Sequence, residues 1–212
     1  ITGAGEKFFS AGADLNWMKQ AAEYSDAENM KDALLLSDML DAFYNLDVLT
    51  IACAKGAVMG GGLGLIACAD IVIADADCLF AFSEVKLGLI PATISPYVIK
   101  AIGGRYAKRY FQTAEKINVK RAYEIGLVHE ITTSIDEMDE VLDGLLKQIK
   151  SNAPMAMRNS KKLVNEFEGQ EISDDLRIDT AKRIANARAS SEAKEGLSAF
   201  FEKRKADWKR DV

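Results

Sequence analysis

The sequence predicts an α/β fold. Three observations carry that expectation. Short apolar runs separated by glycine fill the first half of the chain, patterns with a 3.6-residue period lie between and after them, and strand-helix-strand order implies parallel crossovers. The chain has 212 residues, of which 49% are hydrophobic and 28% charged, so it is long enough to bury a core without staples. From Ser95-Pro96 onward the period settles at 3.6, which divides the chain into an α/β core over residues 1–133 and a helical region over residues 134–212.

The elements follow in order. Residues 1–5 (ITGAG) lack an initiating Met and read as a strand end running into a turn, so sequence upstream, with any site residues it carries, is expected to be missing. Residues 15–22 can form a short helix. Ser25 and Glu28 are spaced as a capping box ahead of Met30, Leu34, Met39, Leu40 and Phe43, whose helical spacing predicts a core-facing stripe. Residues 49–54, 71–74 and 78–83 read as buried strands. Ser95 is placed as an N-cap, with Pro96 at the first helical position. A second capping box, Ser134 to Glu137, precedes an apolar stripe of Ile135, Met138, Val141, Leu142, Leu145 and Ile149. Pro154 opens a further helix, and residues 190–208 carry one or two more.

Composition narrows the function classes. Lys and Arg total 27 against 32 Asp and Glu, a net charge of −5, which argues against nucleic acid or an anionic membrane as the main partner. The longest uncharged stretch, residues 56–69, is too short and too glycine-rich to span a bilayer. Cys53, Cys68 and Cys78 are an odd number without C-x-x-C spacing and sit in apolar runs, as reduced thiols do in a cytoplasmic compartment. His129 is the single histidine, so a His-cluster metal site is not available; the sequence has no G-x-S-x-G elbow to pair it with in a triad, and it reads as a surface strand residue. No metal is expected.

Three places can carry chemistry. The turn Gly60-Gly61-Gly62-Leu63-Gly64 follows a strand and opens an apolar helix. It either packs helix tightly on strand or presents unpaired N–H groups to an anion or a developing oxyanion. Residues 10–15 (SAGADL) form a second small-residue turn before a helix. They can offer the N–H of Ala13, with Asp14 as a first-turn acid favouring the helix start. Glu84 follows a strand end, where open α/β sheets place their ligands, and its apolar neighbours Phe82, Val85 and Leu87 can raise its pKa toward that of a usable base. The alternative for Glu84 is a solvated loop acid. The basic tail at residues 202–210 is either a solvated helix face or a phosphate contact.

These stretches, taken together, resemble the crotonase, or enoyl-CoA hydratase/isomerase, family. The matching segments are FSAGADL at 9–15, KGAVMGGGLG at 55–64, CADI at 68–71, SEVKLGLIP at 83–91, AYEIGLV at 122–128 and EGLSAFFEKRK at 195–205. Residues 16–18 (NWM) and 91–97 (PATISPY) look most like the methylglutaconyl-CoA hydratase branch. The resemblance implies a spiral of ββα units with a C-terminal helical region for trimerisation. It implies a homotrimer or dimer of trimers in the cytoplasm (the mitochondrial matrix in a eukaryote), an acyl-CoA thioester as substrate, and no cofactor, CoA being part of that substrate. It further implies an oxyanion hole from the N–H groups of Ala13 and Gly61 and acid/base chemistry at Glu84. Substrate contacts would come from Ala11, Ala13, Asp14, Leu15, Asn16, Met18, Gly61, Gly64 and Ala92. Met18 would face the acyl group.

The chain departs from that pattern twice. Two-glutamate hydratases carry a second carboxylate at the position of Gly64, and the usually Gly-rich loop after Pro91 here reads Ala92-Thr93-Ile94-Ser95. The N–H of Ala92 survives that change and is expected to help hold a water. Hydration of an α,β-unsaturated acyl-CoA, 3-methylglutaconyl-CoA among the candidates, is the expected reaction. A single-glutamate Δ3,Δ2-enoyl-CoA isomerase is the alternative, and a non-catalytic acyl-CoA- or RNA-binding relative is the alternative of another class. Lys86, Lys100 and Arg105 are candidates to meet a distal carboxylate.

Overall fold

The computed structural model describes residues 1–5 and 7–209. It divides into two compact units: residues 1–46 with 50–140, and residues 47–49 with 141–212.

The first unit is built on two sheets. One has strands β1 (Phe8–Ser10), β3 (Ala57–Met59), β5 (Leu79–Ala81) and β6 (Ile117–Asn118) in that spatial order, the first three parallel and β6 antiparallel. The other has β2 (Ile51–Ala54), β4 (Ile71–Asp75) and β7 (Glu130–Thr132), all parallel. From β2 to β5, consecutive strands alternate between the sheets. Each such pair is followed by a helix: α3 (Gly61–Cys68) after β2 and β3, and α4 (Ser95–Thr113) after β4 and β5. These are the repeating ββα units of a spiral. Gly56 makes the corner between β2 and β3. Its φ is +62°, and a β-carbon there would run into the carbonyl of Lys7, so only glycine lets the neighbouring chain approach this closely.

Helices α1 (Leu15–Ala21), α2 (Asp26–Tyr44) and α5 (Val119–Glu124) complete this unit, together with the start of α6 (Ile135–Lys150). Its core is continuous. Leu40 from α2, Leu63 and Ile66 from α3, Val72 from β4, Phe80 from β5 and Val98 from α4 are all fully or almost fully buried. Phe82 meets Phe111 edge-on, with ring centroids 4.9 Å apart.

The second unit is helical, holding α7 (Pro154–Phe167), α8 (Asp174–Ala189) and α9 (Ser191–Phe201). Glu192 on α9 caps α7 by accepting from the N–H groups of Met155 and Ala156 at 2.9 and 2.8 Å. Arg183 lies between Asp179 and Glu166. Phe200 and Phe201 are three-quarters exposed.

Several local expectations change. The Ser25–Glu28 capping box forms with both of its hydrogen bonds, whereas at Ser134 only half forms, because the Glu137 carboxylate reaches back to the N–H and hydroxyl of Thr133. Ile94, not Ser95, is the N-cap of α4, since the Ser95 hydroxyl turns back to the carbonyl of Ala92. Met30 and Met39 are exposed, so of the α2 stripe only Leu40 is buried, with Phe43 packed partly against the core. Residues 190–208 contain one helix, within the one or two expected, while α8 is a helix that no motif singled out. His129 is exposed and precedes β7. Its Nδ1 accepts from the N–H of Val72, extending the sheet with a side chain.

Candidate active site

Three neighbouring parallel strands end on the same side, and each delivers one part of the site. Register pairs Ser10 with Val58 and Met59 with Ala81, so the chain leaves β1, β3 and β5 at adjacent points. Residues 11–14 follow β1, Gly60-Gly61 follow β3, and Glu84 follows β5 at the start of a 3-10 turn, Glu84–Leu87. The N–H of Gly60 donates to the carbonyl of Ala81 at 3.2 Å, which ties the second turn to the third strand.

The turns meet at Gly60. A β-carbon there would stand 3.5 Å from Glu84 Oε1 and 3.9 Å from the α-carbon of Gly12. Gly12 and Gly60 immediately precede Ala13 and Gly61. Neither of those two residues donates its N–H to a protein acceptor among the described residues. Gly61 is the first residue of α3, where a helix leaves its N–H groups unpaired and its dipole favours negative charge. Two free backbone donors on adjoining turns, with a carboxylate against the same glycine, form one constellation.

Glu84 is half-buried rather than a solvated loop acid. Its Oε2 is buried without a hydrogen-bond partner among the described residues. Burial pushes its carboxyl above the ordinary range, because the charged form loses solvation that a hydrogen bond from its own backbone N–H only partly replaces. An orphaned buried carboxylate oxygen is costly to keep, and it fits a group that must hand a proton to and from a ligand.

The other candidate residues fall in different places. Ala11, Leu15 and Asn16 are exposed near the first turn, and Met18 is half-buried on α1. Asp14 is the N-cap of α1 and not a first-turn acid. Its carboxylate accepts from the N–H groups of Asn16 and Trp17 at 2.8 and 2.9 Å. Gly64 is buried away from open space: a β-carbon there would meet Ile94 Cγ2 at 2.5 Å and Leu40 Cδ2 at 3.2 Å. The N–H of Ala92 donates to Ile90 O at 2.8 Å, so it is spent within its own loop and leaves the expected water without that donor. Lys100 is engaged with the Tyr44 hydroxyl, and Lys86 and Arg105 are exposed.

In the basic tail, Arg204 is bound to Glu195 and Glu202, and its hydrogen bond to Glu195 draws that carboxyl down to about 2. Arg210 lies outside the described residues. Among the described residues no three His, Cys, Asp or Glu side chains are grouped to hold a metal.

Sequence reasoning did not identify the Gly12–Gly60 contact or Ile94 as the wall beside Gly64. Both are pairings across long separations, and the small residues at 12, 60 and 64 were the signal available.

The family model described as enoyl-CoA hydratase/isomerase matches residues 1–211. The chain is 43% identical to a solved enoyl-CoA hydratase from Shewanella pealeana, with a TM-score of 0.93 over 96% of this chain and 76% of that one. It is 31% identical over 208 residues to the short-chain-enoyl-CoA hydratase of Clostridium acetobutylicum, covering 98% of this chain and 78% of the relative. It is 32% identical over 209 residues to the crotonyl-CoA hydratase of Syntrophomonas wolfei, with the same coverage of 98% and 78%.

Proposed function

The chain belongs to the enoyl-CoA hydratase/isomerase family, and on that premise we propose that it hydrates an α,β-unsaturated acyl-CoA through a thioester enolate, with Glu84 as the acid/base group. The observation that carries the proposal is the meeting of Glu84 Oε1 and the Gly12 turn at Gly60, beside two free N–H groups.

The substrate's thioester oxygen accepts from the N–H groups of Ala13 and Gly61. As water adds to the β-carbon, charge moves onto that oxygen, and donors already in place stabilise it without reorganising; one such donor is typically worth about 10²–10³ in rate. Glu84 accepts a proton from the attacking water and returns it to the α-carbon. The oxygen and one hydrogen of water end on the β-carbon and the second hydrogen on the α-carbon, with the carboxylate restored. No cofactor is needed, since CoA arrives with the substrate. Relatives named for crotonyl-CoA and short-chain enoyl-CoA hydration support this reaction class.

A specific observation favours a second reading. The space a side chain on Gly64 would need is filled by Ile94, which leaves Glu84 as the acid on hand. Moving a double bond from Δ3 to Δ2 needs only one base, which removes the proton at C2 and returns it at C4. Incubation with crotonyl-CoA, 3-methylglutaconyl-CoA and a 3-enoyl-CoA separates the two. Loss of the conjugated enoyl absorbance on either of the first two supports hydration. Double-bond migration on the last, without water uptake on the others, overturns it in favour of isomerisation.

The homotrimer or dimer of trimers that the resemblance implies would have an apolar surface for association in the exposed Leu197, Phe200 and Phe201 on α9, and sedimentation would read the number of subunits directly. Three free cysteines fit a reducing compartment such as the cytoplasm.

A further inference from the structure

Helix α1 carries the Ala13 turn and has little of its own to hold it. It is seven residues long and buries none of them, and two turns of helix are unstable in isolation. Its first residue, Leu15, is 74% exposed. Asp14 caps the helix from within. Among the described residues, one side-chain hydrogen bond ties α1 to another element: the indole N–H of Trp17 donates to Asp32 Oδ1 on α2 at 3.0 Å.

The far end of that bond is well anchored. Helix α2 runs for 19 residues, begins with a complete capping box, and sets Leu40 fully into the core. Asp32 therefore stands on a long, capped helix pinned to the core at Leu40, whereas Trp17 stands on a short helix that buries nothing. Ala13 adjoins the Asp14 cap, and Asp14 is bonded to the N–H of Trp17 at 2.9 Å. A swing of the Trp17 end of the helix is passed to the cap and from the cap to the Ala13 N–H.

We propose that Asp32 is a positioning residue for the reaction. By accepting from the Trp17 indole, it fixes α1 and so aims the Ala13 N–H at the thioester oxygen. This rests on Ala13 being a donor in the proposed mechanism. A misplacement of about 1 Å at a reacting centre can cost on the order of 10² in rate, and an exposed bond that limits rather than sets the position should cost about tenfold.

The experiment compares wild type with Asp32→Ala, Asp32→Asn, Trp17→Phe and the double variant Trp17→Phe/Asp32→Ala. Two readouts are taken: kcat and KM on crotonyl-CoA, and hydrogen exchange of the amides of residues 13–21. Asp32→Ala and Trp17→Phe should each lower kcat about tenfold with KM nearly unchanged. The double variant should lose no more than either single one, because both remove the same bond. Asp32→Asn keeps an acceptor oxygen and should stay within about twofold of wild type. Exchange of the α1 amides should quicken about tenfold in both single variants while the Leu40 amide keeps its protection. Additive losses in the double variant, or α1 exchange unchanged in Asp32→Ala, would overturn the proposal. Exchange is read without turnover: if wild type proves inert on every thioester, the hydratase reading fails alone, and the α1 amides still decide whether Asp32 holds the helix.

Discussion

The β-carbon of Ser10 lies 2.5 Å from the point where a β-carbon on Gly62 would stand, and the Ser10 hydroxyl oxygen lies 2.7 Å from it. Strand β1 thus rests directly on the first turn of α3. The same hydroxyl accepts from the N–H of Gly12 at 3.3 Å, which bends the chain into the Ala13 turn. One missing methyl group lets both donor-bearing turns adjoin. Gly62→Ala must push Ser10 and β1 outward, since the clash is with atoms next to the backbone. The expected cost is about 1–3 kcal/mol of stability, as for an overpacked core. Because the displaced strand also carries the Ala13 turn, kcat on an enoyl-CoA should fall at least about tenfold in the fraction that stays folded. Urea denaturation and steady-state kinetics measure the two effects.

Glu84→Gln should nearly abolish turnover while strengthening the fold. The amide cannot take up and return a proton, so a loss of about 10²–10⁴ in kcat is expected, with thioester affinity retained in a titration. The stability effect follows from the raised carboxyl. Between the ordinary glutamate value and the raised one, the native state keeps a proton that the unfolded chain has released, so stability falls as pH rises through that window. Glutamine removes this penalty. The variant should melt above wild type at pH 7, and the difference should vanish at a pH below the ordinary glutamate value, where both side chains are neutral. For the wild-type enzyme, the acid limb of the rate profile should lie above the ordinary carboxylate range, because water attack needs the ionised form.

Local features were legible in the sequence, and distant ones were legible only as hints. The capping box at Ser25 reads correctly because both partners lie within one helical turn. The turns that carry Ala13 and Gly61 stand out in the sequence by their small residues ahead of a helix, and Glu84 because it follows a strand end; that parallel neighbours bring all three together is visible only in the fold. Periodicity told which residues of α2 share a face but not what would cover it, so Met30 and Met39 were expected in a core that only Leu40 fully enters. The Ala92 N–H looked free because nothing in its neighbours announces the tight turn that gives it to Ile90. Ile94 stands 30 positions from Gly64, and no local rule joins them.

Asp14 separates a capping role from a substrate contact. Its carboxylate accepts two backbone hydrogen bonds at the start of α1, and asparagine can accept them as well. Asp14→Asn should therefore keep stability within a few tenths of a kcal/mol and keep KM within about twofold. Asp14→Ala should cost about 0.5–2 kcal/mol, the usual loss for a removed cap. A large rise in KM for Asp14→Asn at unchanged stability would instead assign the charge itself to substrate binding.

The wall formed by Ile94 decides what can be engineered at Gly64. A methyl group at Gly64 would sit 2.5 Å from Ile94 Cγ2 and 3.2 Å from Leu40 Cδ2, both on fully or nearly fully buried side chains that have nowhere to go. Gly64→Ala should therefore lose about 1–3 kcal/mol, and Ile94→Ala alone about 2–5 kcal/mol through the cavity it leaves. Combined, the two should lose clearly less than the sum, since the added methyl enters the space that Ile94 vacates. The same logic governs chemistry. Gly64→Glu by itself should unfold or disable the protein rather than supply a second carboxylate, whereas Gly64→Glu with Ile94→Gly opens room for the new side chain beside α3. If the paired variant folds and its hydration rate exceeds that of Ile94→Gly, steric exclusion by Ile94 is what holds this site to one acid. If Gly64→Glu alone is as stable and active as wild type, Ile94 yields easily and the wall is not rigid.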